Sequence, residues 1–123
     1  MRAMLCGDKK AFTLTELLMT VFIIGLLTAI AVPNFIAARA RVQKDTCINN
    51  LRELKLAKEQ WAFENNKDYT DTPEATDLDT YIKDGTQSLW CPLDSSESFS
   101  ASYTINNVGT DPACKISSSD HKL

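Results

Sequence analysis

From Leu17 to Val32 the chain carries no charged residue, and nothing else in its 123 residues restricts the fold as tightly. The run begins at Phe12 and reads FTLTELLMTVFIIGLLTAIAVPNFIAA. About 20 apolar residues rising 1.5 Å each cross a hydrocarbon layer of roughly 30 Å, so it is long enough to span a membrane. A cleaved secretory signal shares the order basic, apolar, polar. The length of the run and a glutamate at its mouth, Glu16, weigh against that alternative. Arg2, Lys9 and Lys10 precede the span while Arg39, Arg41 and Lys44 follow it, so charge alone does not orient it. The expected arrangement is a cytoplasmic start and an exported remainder.

Beyond Pro33 the sequence NFIAARARVQKDTCINNLRELKLAKEQWAFENN is rich in helix formers and free of Gly and Pro. Cys47, Leu51, Leu54 and Trp61 recur at offsets 0, 4, 7 and 14, with Ile48, Ala57 and Ala62 adjoining, which marks one apolar stripe of a helix. A helix from Phe12 to about Asn65 would be near 80 Å long, natural for an element that packs with copies of itself. From Asn66 onward Asp, Thr, Ser, Pro and Gly dominate, and loops are expected. Pro73 to Ile82 offers a short helix turning Leu78, Tyr81 and Ile82 inward, ended by Asp84-Gly85. Weak alternation over Ala101–Ile105, the turn residues Asn106–Gly109 and the piece Ala113–Ile116 suggest a hairpin, with Leu89–Pro92 as an edge strand. The expected fold class is therefore α+β, a long N-terminal helix packed against a small C-terminal antiparallel β-sheet head. Four segments follow: a leader over 1–11, a transmembrane part of the helix over 12–33, an amphipathic exported part over 34–65 and a loop-rich head over 66–123.

Composition excludes more than it assigns. Between 68 and 97 Asp68, Asp71, Glu74, Asp77, Asp79, Asp84, Asp94 and Glu97 face a single lysine, Lys83, so the head does not attract nucleic acid by itself. No phosphate-binding glycine loop, HExxH or paired CxxC occurs, and no nucleophile has a positioned base. An enzyme is not expected, and neither is a cofactor. The sole histidine, His121, lies near the end of a polar tail and reads as solvated and mobile. Asp94, Glu97, Asp111 and Asp120 are candidate calcium ligands without diagnostic spacing, and a solvated acidic face is the favoured reading, so no metal site is expected. The cysteines fit an oxidising compartment. A disulfide between Cys91 and Cys114 is expected; it would close a loop of about 23 residues, which the chain-entropy account values at roughly 3 kcal/mol. Cys47, on the apolar stripe, reads as a buried free thiol.

The segment Ala11-Phe12-Thr13-Leu14-Thr15-Glu16-Leu17 resembles the processing site of type IV pilins and type II secretion pseudopilins. The resemblance extends over roughly Lys9 to Asn65. It implies a cut after Ala11 by prepilin peptidase, N-methylation of the freed Phe12, and pairing of the Phe12 amine with Glu16 of a neighbouring subunit during assembly. Ala11 stands where the family usually has glycine. In the same register Gly25 and Pro33 fall where pilins carry a glycine and a proline, and a kink between them is expected because Pro33 removes a helix hydrogen bond. The function implied is a structural subunit of a type II secretion pseudopilus or pilus-like filament, with an adhesive or DNA-uptake pilin as the alternative. The resemblance further implies self-association, minor pilins or pseudopilins, an inner-membrane assembly platform and lipid as partners. It places the chain in the bacterial inner membrane before assembly, and in a periplasmic or surface filament afterwards. A different alternative, a tethered binding module that does not polymerise, needs neither Glu16 nor a processing site.

Overall fold

One helix, α1, runs from Leu14 to Glu64 and accounts for most of the regular structure in the computed structural model, which describes residues 11–123. The leader expected over Met1 to Ala11 lies outside the described residues except for Ala11. Contacts divide the chain into two units, one ending at Ala37 and one comprising Ala38–Leu123.

In the first unit α1 passes through Gly25 and Pro33 without a break in its helical assignment. Side chains from Phe12 through Ile36 are exposed, among them Leu17, Leu18, Phe22, Ile24, Leu27, Ile30 and Phe35. An apolar 18-residue window of this helix has none of its residues buried in the chain's own fold. Apolar surface of this extent marks contact with lipid or with another protein surface.

The second unit has its own core. Cys47, Leu51, Leu54, Ala57, Trp61 and Ala62 of α1 are buried as the stripe predicts, together with Leu78, Ile82, Leu89, Cys91, Phe99, Tyr103 and Cys114 from the rest of the head. Each fully buried leucine contributes about 1.5–3 kcal/mol relative to exposure. Asn66 ends α1 in the left-handed region, at φ 50°, and the Lys67 amide donates back to the Ala62 carbonyl at 2.9 Å, which satisfies one of the orphaned carbonyls of the last turn. Next comes α2, Ala75–Leu78, shorter than its sequence pattern; Leu78 and, past its end, Ile82 reach the core as expected, while Tyr81 is half-buried against it. A turn at Asp84-Gly85, both at positive φ, leads into a 3-10 turn over Thr86–Ser88 whose start is held by Asp79 Oδ1, which accepts from the Thr86 amide and hydroxyl at 2.8 and 2.6 Å.

The sheet is smaller than the sequence suggests. β1, Tyr103–Thr104, pairs antiparallel with β2, Ala113–Cys114, with Tyr103 opposite Cys114 and Thr104 opposite Ala113. Ala101 and Ser102, expected in a strand, belong instead to α3, Phe99–Ser102, where the Ser102 amide donates to the Ser98 carbonyl at 3.0 Å. Leu89–Pro92 is not a strand either. The Cys91 amide, which an edge strand would offer to a ladder, donates to the Ser102 hydroxyl at 2.9 Å.

A residue outside the apolar pattern fixes the β1–β2 connection. Lys58 is fully buried, and its ammonium donates to the carbonyls of Ile105, Asn107 and Thr110 at 2.8, 2.8 and 2.7 Å. All three of its N–H donors have partners, as a buried cation requires. Burial nonetheless pushes its pKa down, against an opposing pull from Asp111. The far side of the same turn is tied to the loop after α1, since the Val108 amide donates to the Asp71 carbonyl and Gly109 to that of Tyr69, both at 2.9 Å. A Cβ on Gly109 would stand 3.2 Å from the Tyr69 carbonyl oxygen, so this close approach favours glycine.

Candidate functional site

Ala11, Phe12 and Thr13 precede α1 in non-helical backbone, and Phe12 is 89% exposed. The helix starts where it does because Thr13 and Glu16 form a reciprocal cap. Glu16 Oε2 accepts from the Thr13 amide at 2.9 Å and from its hydroxyl at 2.8 Å, while Thr13 Oγ1 accepts from the Glu16 amide at 3.2 Å. Thr-x-x-Glu before an apolar run is a capping box, and it places a carboxylate in the first turn, where the helix dipole favours negative charge. Two orphaned amides are satisfied while the Glu16 side chain stays exposed. Glu16 thus has a partner within its own chain, a role the Thr13-x-x-Glu16 spacing announces and the resemblance to pilins alone does not. The geometry brings Phe12, Thr13 and Glu16 together at one end of the helix. Gly25 and Pro33 lie further along it, and no atom outside the helix backbone comes within 4 Å of a Cβ built on Gly25. Thr28 Oγ1 donates to the carbonyls of Ile24 and Gly25 at 3.0 Å each, a back-bond between the two proposed kink positions.

The sequence over residues 7–32, which includes Phe12 and Glu16, matches a family described as the prokaryotic N-terminal methylation motif. A fimbrial protein of Pseudomonas aeruginosa is 34% identical over 103 residues, which is 83% of this chain and 64% of that protein. The type IV major pilin protein of Myxococcus xanthus is 42% identical over 62 residues, 50% of this chain and 28% of the relative. The type IV wide pilus major component of Thermus thermophilus is 36% identical over 68 residues, covering 55% and 51%. The chain carries the N-terminal methylation motif and is similar to type IV pilins. This pilin-like chain spans less than two thirds of the length of each of these three relatives, and no solved structure matches it. Its relatives are structural pilins rather than enzymes.

In the second unit the structure corrects two readings, those of His121 and Asp94, and adds to that of Cys47. His121 is buried, 5% exposed, rather than solvated. Its Nδ1 lies 3.8 Å from Cys91 Sγ and 3.8 Å from Cys114 Sγ. Cys47, fully buried as expected of it, joins them, so that the ligand atoms of Cys47, Cys91, Cys114 and His121 all fall within 4.8 Å of one another. The three cysteines are unbridged. Burial pushes the Cys47 thiol up and likewise raises Cys91. Tyr103, also raised chiefly by burial, donates its hydroxyl to Cys47 Sγ at 3.5 Å and accepts from Asn50 Nδ2 at 3.1 Å. Asp94 is not part of a solvated acidic face. It is 8% exposed and accepts from the Ser96 hydroxyl and amide through Oδ1, at 2.6 and 2.9 Å, and from the Ser102 hydroxyl through Oδ2 at 2.8 Å, which lowers its pKa to about 2. Asp111 is engaged with Lys55 at 2.7 Å across the surface. Long separations between the cysteines, and a single histidine, left no spacing from which the cluster could be read in the sequence.

Proposed function

We propose that this chain is a polymerising structural subunit of a type IV pilus-like filament, anchored by residues 12–33 and exporting residues 34–123. The observation that carries the proposal is the apolar first half of α1, unburied within its own chain, which opens on an exposed Phe12 beside a capped Glu16. Such a helix needs lipid before assembly and other helices after it. In this reading prepilin peptidase removes the leader at Ala11 and Phe12 becomes the N-methylated N-terminus. Glu16 then exchanges its contact with Thr13 for one with the Phe12 amine of a neighbour. An unpaired charge within a bilayer is costly, so pairing the two favours lateral packing in one register. Flexing between Gly25 and Pro33 adapts the helix to the filament core. The inner-membrane assembly platform and minor pilins are the further partners of this reading.

A pilus is the first choice because the relatives are a major pilin, a fimbrial protein and a pilus component. The small head, with strands of two residues each, supports a type II secretion pseudopilus as the second. N-terminal sequencing of membrane protein and of sheared surface filaments tests both. A chain beginning at Phe12 in surface filaments supports the pilus. Processed protein confined to the periplasm supports the pseudopilus, and an intact Met1 or a cut beyond Ala31 overturns processing and filament together.

A further inference from the structure

We propose that Cys47, Cys91, Cys114 and His121 bind one zinc ion in a closed, tetrahedral structural site. The four ligand atoms lie within 4.8 Å of one another, and all four residues are buried. Bonds of about 2.3 Å to sulfur and about 2.0–2.1 Å to nitrogen, at tetrahedral angles, put sulfurs about 3.8 Å apart and sulfur about 3.6 Å from nitrogen. His121 Nδ1 stands 3.8 Å from both Cys91 Sγ and Cys114 Sγ, within a few tenths of an ångström of that requirement. Three sulfurs and one imidazole are the donor set of a structural zinc centre, and the absence of a carboxylate among them disfavours calcium or magnesium. A disulfide would use two of these thiols at about 2.05 Å and leave the third thiol and the imidazole converging on nothing.

Binding is an acid–base event without redox chemistry. The three thiols become thiolates, three protons pass to solvent, and neutral His121 coordinates through Nδ1, so the zinc and its ligands carry a net charge of about −1. The surroundings suit that charge. Tyr103 donates its hydroxyl to Cys47 Sγ, and Asn50 in turn holds the Tyr103 oxygen. On the Cys91 side, Ser102 accepts the Cys91 amide and donates to Asp94, which fixes the backbone carrying that ligand. Groups around a metal centre that orient its ligands in this way contribute to affinity. The site joins α1, the loop at Cys91, β2 and the C-terminal turn. A head of this size has a small core, and a structural metal stabilises such folds by tying distant segments together.

The test uses the full chain in detergent under reducing conditions, with zinc and cobalt as probes. One zinc per chain by elemental analysis is expected, as is a cobalt complex with thiolate-to-metal charge-transfer absorption and the intense visible bands of tetrahedral geometry. Tyr103→Phe should weaken zinc binding by about 10–100-fold. His121→Ala should weaken it at least as much and alter the visible bands, while His121→Cys keeps tetrahedral binding. Zinc uptake no greater than that of a Cys47→Ser/Cys91→Ser/Cys114→Ser variant overturns the proposal. So does an unchanged cobalt spectrum in His121→Ala, or a Cys91–Cys114 bridge mapped in exported protein recovered in the presence of zinc.

Discussion

The two units of this chain share one helix yet solve opposite problems. From Phe12 to Ile36 the large apolar side chains are exposed, and the polar side chains there bond only within the segment, in the cap between Thr13 and Glu16 and in the back-bonds of Thr20 and Thr28. Beyond Ala38 the same helix turns Cys47, Leu51, Leu54 and Trp61 into a core, and even a lysine is enclosed there. The first unit is completed by its surroundings, the second by its own sequence. Substitutions in the first should therefore change assembly with little effect on the fold of the head, and those in the second should do the reverse.

The largest effect is expected at Glu16. Glu16→Ala removes the cap and the charge together, and loss of one member of a desolvated ion pair costs about 3–5 kcal/mol per interface. Inserted, processed monomer should accumulate and filaments should be absent by electron microscopy. Glu16→Gln separates the two roles, because glutamine completes a capping box as glutamate does but carries no charge. Failure of both variants to assemble supports charge pairing with the neighbour's Phe12 amine. Normal filaments from Glu16→Gln would leave the cap as the important contribution, and normal filaments from both would remove Glu16 from assembly altogether.

In the head the largest loss should come from Leu54→Ala, which empties a fully buried position on the stripe and should cost about 2–5 kcal/mol in chemical denaturation. Lys58→Met is the sharper probe of this unit. It keeps the apolar stem but leaves the carbonyls of Ile105, Asn107 and Thr110 without their shared donor, and a buried group left unsatisfied costs about 1–3 kcal/mol. Hydrogen exchange at the Val108 and Gly109 amides should rise in Lys58→Met before the rest of the head loosens. A loss of protection spread evenly over the head would show that Lys58 supports the core as a whole rather than the β1–β2 turn.

What the sequence announced differs between the units for the same reason. The helix limits and the buried stripe depend on periodicity and composition, which are local, and they match the structure to within a residue or two at the ends of α1. The cap at Thr13 and Glu16 is equally local in its Thr-x-x-Glu spacing, yet it was missed, because Glu16 was read only for its place at the mouth of the apolar run. The strands were overestimated because four residues of pairing leave almost no alternation to detect, and because α3 takes Ala101 and Ser102. Lys58 and His121 were missed for a different reason: each owes its burial to partners far away in sequence, 47 to 52 residues for Lys58 and 30 for His121 with Cys91. A polar residue in a helical pattern or a polar tail carries no local sign of such partners.

The smallest effect, and the one most specific to the head, concerns Asp94. Hydrogen bonds from Ser96 and Ser102 hold its pKa at about 2, below the ordinary value of 3.8. A carboxylate depressed by folding contributes stability that is fully present above its unfolded pKa and is lost as pH falls through the folded value. The window is therefore from about pH 4 down to about pH 2. Asp94→Asn cannot lose a charge, so the difference in denaturation midpoint between the natural chain and this variant should be constant near neutrality, shrink below about pH 4 and vanish towards about pH 2. The two proteins differ at this one side chain, so the contributions of all other groups are common to both and drop out of the comparison. A midpoint difference that stays constant down to pH 2 would mean that Asp94 acts by shape alone.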